Sequence, residues 1–250
     1  STVYPILEYH WDFTSSSATS TADLVKSLSA TVHGSAVLTT TGIRMSGTAS
    51  DAQYVDVNLG SFIFGATTVE VIAKWSTLDD SVVFGCWNGV NSNDAFVLKT
   101  QGMRGRLEWI VNEGSSTKVI QSATNTDVSV GARFHIVVTA FRSTMIIYIN
   151  GIEKGKLVDG WEPSPVARSK CLIGKSEEVS MGKPMAGEVS SLRIYSGAAN
   201  QAKATALYNA HLASWTESPT AAPSSAPAPP PARKVCRRSS FRTVNVNVNG

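Results

Sequence analysis

Several things are missing from this 250-residue chain. No apolar run approaches the roughly 20 residues a membrane-spanning helix needs, so no helical span is expected. Cysteine is scarce, with only Cys86, Cys171 and Cys236. There is no Cys-x-x-Cys and no histidine at zinc-like spacing from a cysteine, which argues against a zinc site. The odd count leaves at least one cysteine without a partner inside the chain. No Asn-x-Ser/Thr sequon occurs, so N-glycosylation is not expected. The chain starts at Ser1 without an initiator Met or a signal peptide, as a mature form or an excerpt would.

Charge is sparse (16% of residues) and unevenly placed. Of 22 Lys and Arg, five (Arg233, Lys234, Arg237, Arg238 and Arg242) fall after Pro219, where no acid occurs, leaving 17 against 19 acids in the rest. Five charges are too few for firm nucleic-acid or membrane binding on their own. Catalytic signatures are also absent. Glycoside hydrolysis needs two carboxylates across one bond, and no Glu-x-Asp-x-x-Glu strand is present. Glu177 and Glu178 are adjacent, so on a strand they would face opposite ways. His10, His33, His135 and His211 stand beside no recognisable nucleophile. The expectation is a non-enzyme.

What is present is β-strand. Phe134–Phe141 and Met145–Ile149 are apolar, rich in β-branched and aromatic residues, and separated by Arg142-Ser143-Thr144, a hairpin signal. Both faces of the second run are apolar, which predicts a strand covered on both sides. Asn150-Gly151 predicts a second tight turn, with 152–157 running back. Residues 67–75 alternate cleanly: Val69, Val71, Ala73 and Trp75 form the expected core face, opposite Thr68, Glu70, Ile72 and Lys74. Further strands are expected at 9–13, 36–44, 52–59, 81–87, 96–100, 107–112 and 118–122. A loop is expected at 88–93 and a helical turn at 22–28. Residues 202–212 form the best helix candidate, with Ala206, Leu207 and Ala210 on one face. Enough residues are present for one large all-β, antiparallel sandwich.

The segment FHIVVTAFRSTMIIYINGIEKGK resembles the core of the laminin G-like, concanavalin A-like jelly-roll family. Cys171–Gly174, Gly187–Tyr195 and Ala206–Tyr208 are similar to that family's closing segment. Asp94–Leu98 followed by Gly105–Trp109 is a weaker match. Phe134 departs from the pattern, since many members have Trp there. The resemblance implies a jelly-roll domain at 1–213 and an extracellular binding or adhesion module for a glycan or a protein. It also implies that His135 is a packed structural histidine. Members often hold calcium at one rim through carboxylates and carbonyls, as a hard cation requires. Asp79, Asp80 and Asp94 are the candidate ligands. Sugar binding needs exposed aromatics, and Trp87, beside the Asn-rich loop with Asn91 and Asn93, and Trp161 are the candidates. Trp11, Trp75 and Trp109 are expected in the core.

From residue 214 the composition changes. Residues 214–232 are Pro-, Ala- and Ser-rich and are expected to be an extended arm, a stretch that could carry O-glycans. Residues 233–250 are basic and end in a Val/Asn alternation that puts Val244, Val246 and Val248 on one strand face. Such a strand needs a sheet edge to pair with. The alternative function is therefore a structural subunit of an extracellular filament or surface assembly. It would form a homo-polymer through the tail, with Cys236 placed to lock the contact. A carbohydrate-active enzyme is a third, weaker reading.

Overall fold

The computed structural model describes residues 5–14, 20–48, 53–60, 62–89 and 91–212. The arm at 214–232 and the tail with Cys236, Val244, Val246 and Val248 lie outside the described residues. Sixteen strands, numbered along the chain, form two antiparallel sheets among the described residues. The first sheet runs β14 (Ile152–Leu157), β13 (Thr144–Ile149), β12 (Arg133–Phe141), β7 (Thr67–Trp75), β16 (Ala186–Ser196), β5 (Ile43–Ser46) and β4 (Val37–Leu38). The strand β1 (Ile6–Asp12) also pairs with β16, beyond β5. The second sheet runs β11 (Ser116–Gln121), β10 (Leu107–Glu113), β9 (Asn91–Thr100), β8 (Val82–Asn88), β15 (Lys170–Ile173), β6 (Tyr54–Val57), β3 (Ser29–His33) and β2 (Ser20–Ala22).

The core lies between the sheets, as face-to-face packing of two alternating surfaces requires. The β12–β13 hairpin sits as its sequence predicts, with Val138 opposite Ile147 and Ile136 opposite Ile149. All four of those side chains are buried. Asn150 and Gly151 both take positive φ, 51° and 75°, closing β13 to β14 with a two-residue turn. Asn150 also anchors that turn, accepting from the His135 backbone N–H at 3.0 Å. Trp11, Trp75 and Trp109 are core residues. Cys86 and Cys171 face one another across β8 and β15 and form a disulfide.

Four expectations need correction. Residues 91–93 are not loop: β9 already begins at Asn91, and Asn88 pairs directly with it. The expected strand at 36–44 is broken in two by a turn around Gly42, whose φ of 152° returns β4 onto β5. Residues 24–26 form a turn rather than a helical segment. The helix α1 (Gln201–Leu212) exists, but Ala206 and Ala210 are exposed while Ala204 and His211 are buried and Leu207 is half-buried. The docked stripe is 204, 207, 208 and 211, the spacing of one helical face.

Candidate functional site

The helix lies on the outer face of the first sheet, which therefore is covered rather than solvated. Val137 and Tyr148 from the hairpin pack with Ala199 and Ala204, flanked by Ile146 and Leu207. Thr68, Glu70 and Ile72, the set opposite the core face of β7, are buried at 0%, 1% and 3% exposure. An exposed polar face is the reading their alternation invites. Thr68 and Glu70 are met instead by Gly197, Ala199 and His211, more than 120 residues later in the chain.

Glu70 is the polar centre of this layer. Its Oε1 accepts from His135 Nε2 at 2.9 Å, His211 Nε2 at 2.8 Å and Arg193 Nη1 at 3.1 Å. Its Oε2 accepts from the Tyr195 hydroxyl at 2.5 Å. Burial disfavours the ionised carboxyl, but the hydrogen bonds from His135 and His211 and the charge of Arg193 outweigh it and hold the group well below the ordinary carboxylate range. Burial, with the neighbouring Glu70, pushes the Tyr195 phenol up, so it remains a donor. Glu70, His135 and His211 bring three potential metal-ligating atoms within 4.8 Å of one another. Arg193, however, contacts both Glu70 and His211. Arg193 already supplies the positive charge that faces this carboxylate, and the cluster reads as an ion pair pinning α1 to the sheet.

Beside the start of α1 the layer opens into a depression of about 400 Å³. Its apolar surface comes from Phe141, Ile146, Tyr148, Ala198 and Ala199. Its polar groups are Thr139, Thr144, Glu153, Lys156, Asn200 and Gln201. Tyr148 is buried; burial and the charge of Glu153 push its phenol up to about 12, so it stays protonated. Thr139 is 2% exposed, and its hydroxyl oxygen has no hydrogen-bond partner among the described residues. A buried hydroxyl without a partner costs roughly 1–3 kcal/mol.

The rim of the depression is held in place by side chain–backbone bonds. Thr68 donates its hydroxyl to the Gly197 carbonyl at 2.8 Å and accepts from the Ala199 N–H at 2.9 Å. Asn200 caps α1, its Oδ1 accepting from the Lys203 N–H at 2.9 Å. The Gln201 amide bridges two elements: it donates to the Gly151 carbonyl, and its Oε1 accepts from the Glu153 N–H at 3.1 Å. None of these residues stands out in the sequence; the one available signal was a helix start at Asn200-Gln201 following a strand.

The residues singled out from sequence are not brought together. Trp87 was expected to present its ring to a sugar, but it is fully buried in an apolar cluster on the outer face of the second sheet. Its indole lies across Gly85, and the segment bearing Met181 covers the same cluster. Trp161 is half-buried against the core, with Lys118 Nζ 5.4 Å from its ring centroid. Asn91 and Asn93 lie on β9, and their side chains are outside the description. Asp79 pairs with Lys183 at 2.7 Å and Asp80 with Lys99 at 2.9 Å. Asp94 is at the other end of β9, its carbonyl accepting from Arg168 Nε at 2.6 Å. Five residues of strand separate Asp94 from Lys99, about 17 Å. The three carboxylates therefore do not converge, and a calcium site built from all three does not fit this arrangement.

Arg168 itself is 4% exposed, and no carboxylate forms an ion pair with it among the described residues. It donates to the carbonyls of Asp94, Ser164 and Val166 and lies near the rings of Phe64 and Phe96. Burial lowers its pKa to about 10. It serves as a clamp between the 164–168 loop and β9.

A family model described as the concanavalin A-like lectin/glucanases superfamily matches residues 48–204, more than half of the chain. No curated protein sequence matches. Among solved structures, domain 4 of AbnA, an extracellular GH43 arabinanase from Geobacillus stearothermophilus in complex with arabinotriose, is 18% identical. It superposes with a TM-score of 0.64 over 82% of this chain and 100% of that one. The binding domain of botulinum neurotoxin serotype D/C is 13% identical with a TM-score of 0.64, and this chain, 82% of it matched, covers 52% of that domain. The CBM40 of the Ruminococcus gnavus IT-sialidase, bound to α2,3-sialyllactose, is 12% identical, with a TM-score of 0.50 over 58% of this chain and 83% of that one. At these identities the likeness is one of fold.

Proposed function

The chain belongs to the concanavalin A-like lectin/glucanases superfamily, and from that premise we propose that its jelly-roll domain is a non-catalytic, extracellular carbohydrate-binding module. The depression beside α1 carries this reading. It combines an aromatic and aliphatic surface with hydroxyl, amide, carboxylate and ammonium groups on a rim held by hydrogen bonds. Sugars demand that mixture, an apolar ring face bordered by hydroxyls, and binding sites generally pair an apolar lining with a few fixed polar groups. Glu153 is the one carboxylate among the lining residues, whereas glycoside hydrolysis calls for a pair. The structural neighbours named above, which include glycan-bound domains, support the same reading. The Cys86–Cys171 disulfide supports an oxidising, extracellular setting.

A glycan array probed with the full chain and with Phe141→Ala tests the proposal. Binding to a defined glycan set, weakened about tenfold or more in the variant (about 1.4 kcal/mol), is expected. An array on which the full chain binds nothing would overturn it.

One observation favours a second reading, assembly through the tail. The Cys86–Cys171 pair takes up the other two cysteines of these 250 residues and leaves Cys236 available to a cysteine elsewhere. An intermolecular disulfide would link copies. Non-reducing electrophoresis of the full chain should show a dimer that Cys236→Ser abolishes; a monomer in both cases rejects this.

A further inference from the structure

The start of α1 opens onto the depression already described, and its charge is unbalanced. The amides of Gln201 and Ala202 head the helix, where no intrahelical carbonyl is available to them. Asn200 satisfies the next amide, that of Lys203, with an uncharged cap. No acid occurs in the first turn, although an acid is the usual complement to the positive end of a helix dipole. Lys203 adds a cation to that turn instead, and Lys156 lines the depression.

A second, independent feature points the same way. Thr139 lines the depression, and its buried hydroxyl has no partner among the described residues. Glu153 is the opposing charge in the lining, and it is exposed. From this juxtaposition we infer that the depression receives the anionic group, a carboxylate or a sulfate, of an acidic sugar. The group is held by the free amide of Gln201, by the Thr139 hydroxyl and by Lys156. Helix starts bind anions through this combination of free N–H groups and dipole. The inference rests on the carbohydrate-binding reading above and names the class of sugar.

Calorimetry on the full chain with three probes tests it: an oligosaccharide ending in glucuronate, the same oligosaccharide ending in glucose, and sodium sulfate. The expected order is uronate well ahead of glucose, by at least tenfold, with the preference shrinking as salt rises. Sulfate should compete with the uronate. Three variants sharpen the result. Asn200→Asp keeps a good cap but puts a negative charge at the helix start, so uronate affinity should fall at least tenfold with no loss of melting temperature. Thr139→Val should weaken uronate binding without destabilising the fold, since it removes a hydroxyl that has no partner among the described residues. Glu153→Gln should tighten uronate binding.

Equal affinity for the two saccharides, insensitive to Asn200→Asp, would overturn the acidic-sugar inference while leaving carbohydrate binding intact. Binding of sulfate without the uronate would also overturn it, marking a site for free ions. If neither saccharide binds, the inference and the reading beneath it both fail.

Discussion

Replacing Glu70 with Gln should damage the protein far more than its position opposite the core face of β7 would suggest. The carboxylate is 1% exposed and accepts from four side chains at 2.5–3.1 Å. Gln matches its shape but offers one acceptor oxygen and an NH₂ that meets donors head-on. Arg193, its side chain 19% exposed, would lose its counter-ion, and breaking a largely buried pair in this way costs up to about 3–5 kcal/mol. Part of that cost would come from loosening α1, whose buried contacts with Val137 and Tyr148 depend on the same pin.

The assay is urea unfolding of Glu70→Gln, His211→Ala and the double variant. A midpoint loss at unchanged slope gives the stability change. The cycle should return a coupling of about 1–3 kcal/mol between the two residues. The pH dependence has a definite sign. Glu70 is depressed in the folded state. Its contribution is therefore fully present above the unfolded carboxylate value, about 4.3, and is lost as pH falls through the folded value. The gap between the natural protein and Glu70→Gln should be constant near neutrality and narrow below pH ~4. A loss under about 1 kcal/mol, or a gap that widens in acid, would refute the account of Glu70 as an ionised pin.

Other variants test other parts of the structure. Ile147→Ala in the hairpin, at 0% exposure, should cost about 2–5 kcal/mol in the same assay. Opening the Cys86–Cys171 link, which spans 85 residues, with a double Ser substitution should cost about 2–5 kcal/mol; a loss under 1 kcal/mol would mean the link is not formed. Gly85→Ala would drive a methyl to 2.5 Å from the Trp87 ring and should cost about 1–3 kcal/mol. A change within 0.5 kcal/mol would place that indole elsewhere.

The two-layer fold was legible because strands announce themselves locally. The alternation at 67–75, the paired runs at 134–149 and the Asn150-Gly151 turn all appear where their chemistry puts them. The disulfide was not legible, since three cysteines leave the pairing open and only the register of β8 against β15 decides it. The site was not legible for a deeper reason. Alternation shows which residues share a face but not what covers it. Glu70, opposite the core face of β7, and Trp87, beside the expected loop, both look solvent-facing, and both are buried by segments distant in sequence, α1 in one case and the stretch around Met181 in the other. The depression likewise joins 139–156 to 198–201, and nothing in either segment refers to the other. The helix stripe was misassigned because its alanines are interchangeable by composition; His211, the residue that bonds Glu70, identifies the docked face.

The central claim is that a glycan binds beside the start of α1. The direct measurement is mapping by NMR of the amide and methyl shifts of the full chain on titration with the best glycan from the array. The account predicts saturable shifts at Thr139, Thr144, Ile146 and Gln201, lost in Phe141→Ala. Shifts confined to the outer face of the second sheet around His33 and Tyr54, or to the neighbourhood of Trp161, would contradict it.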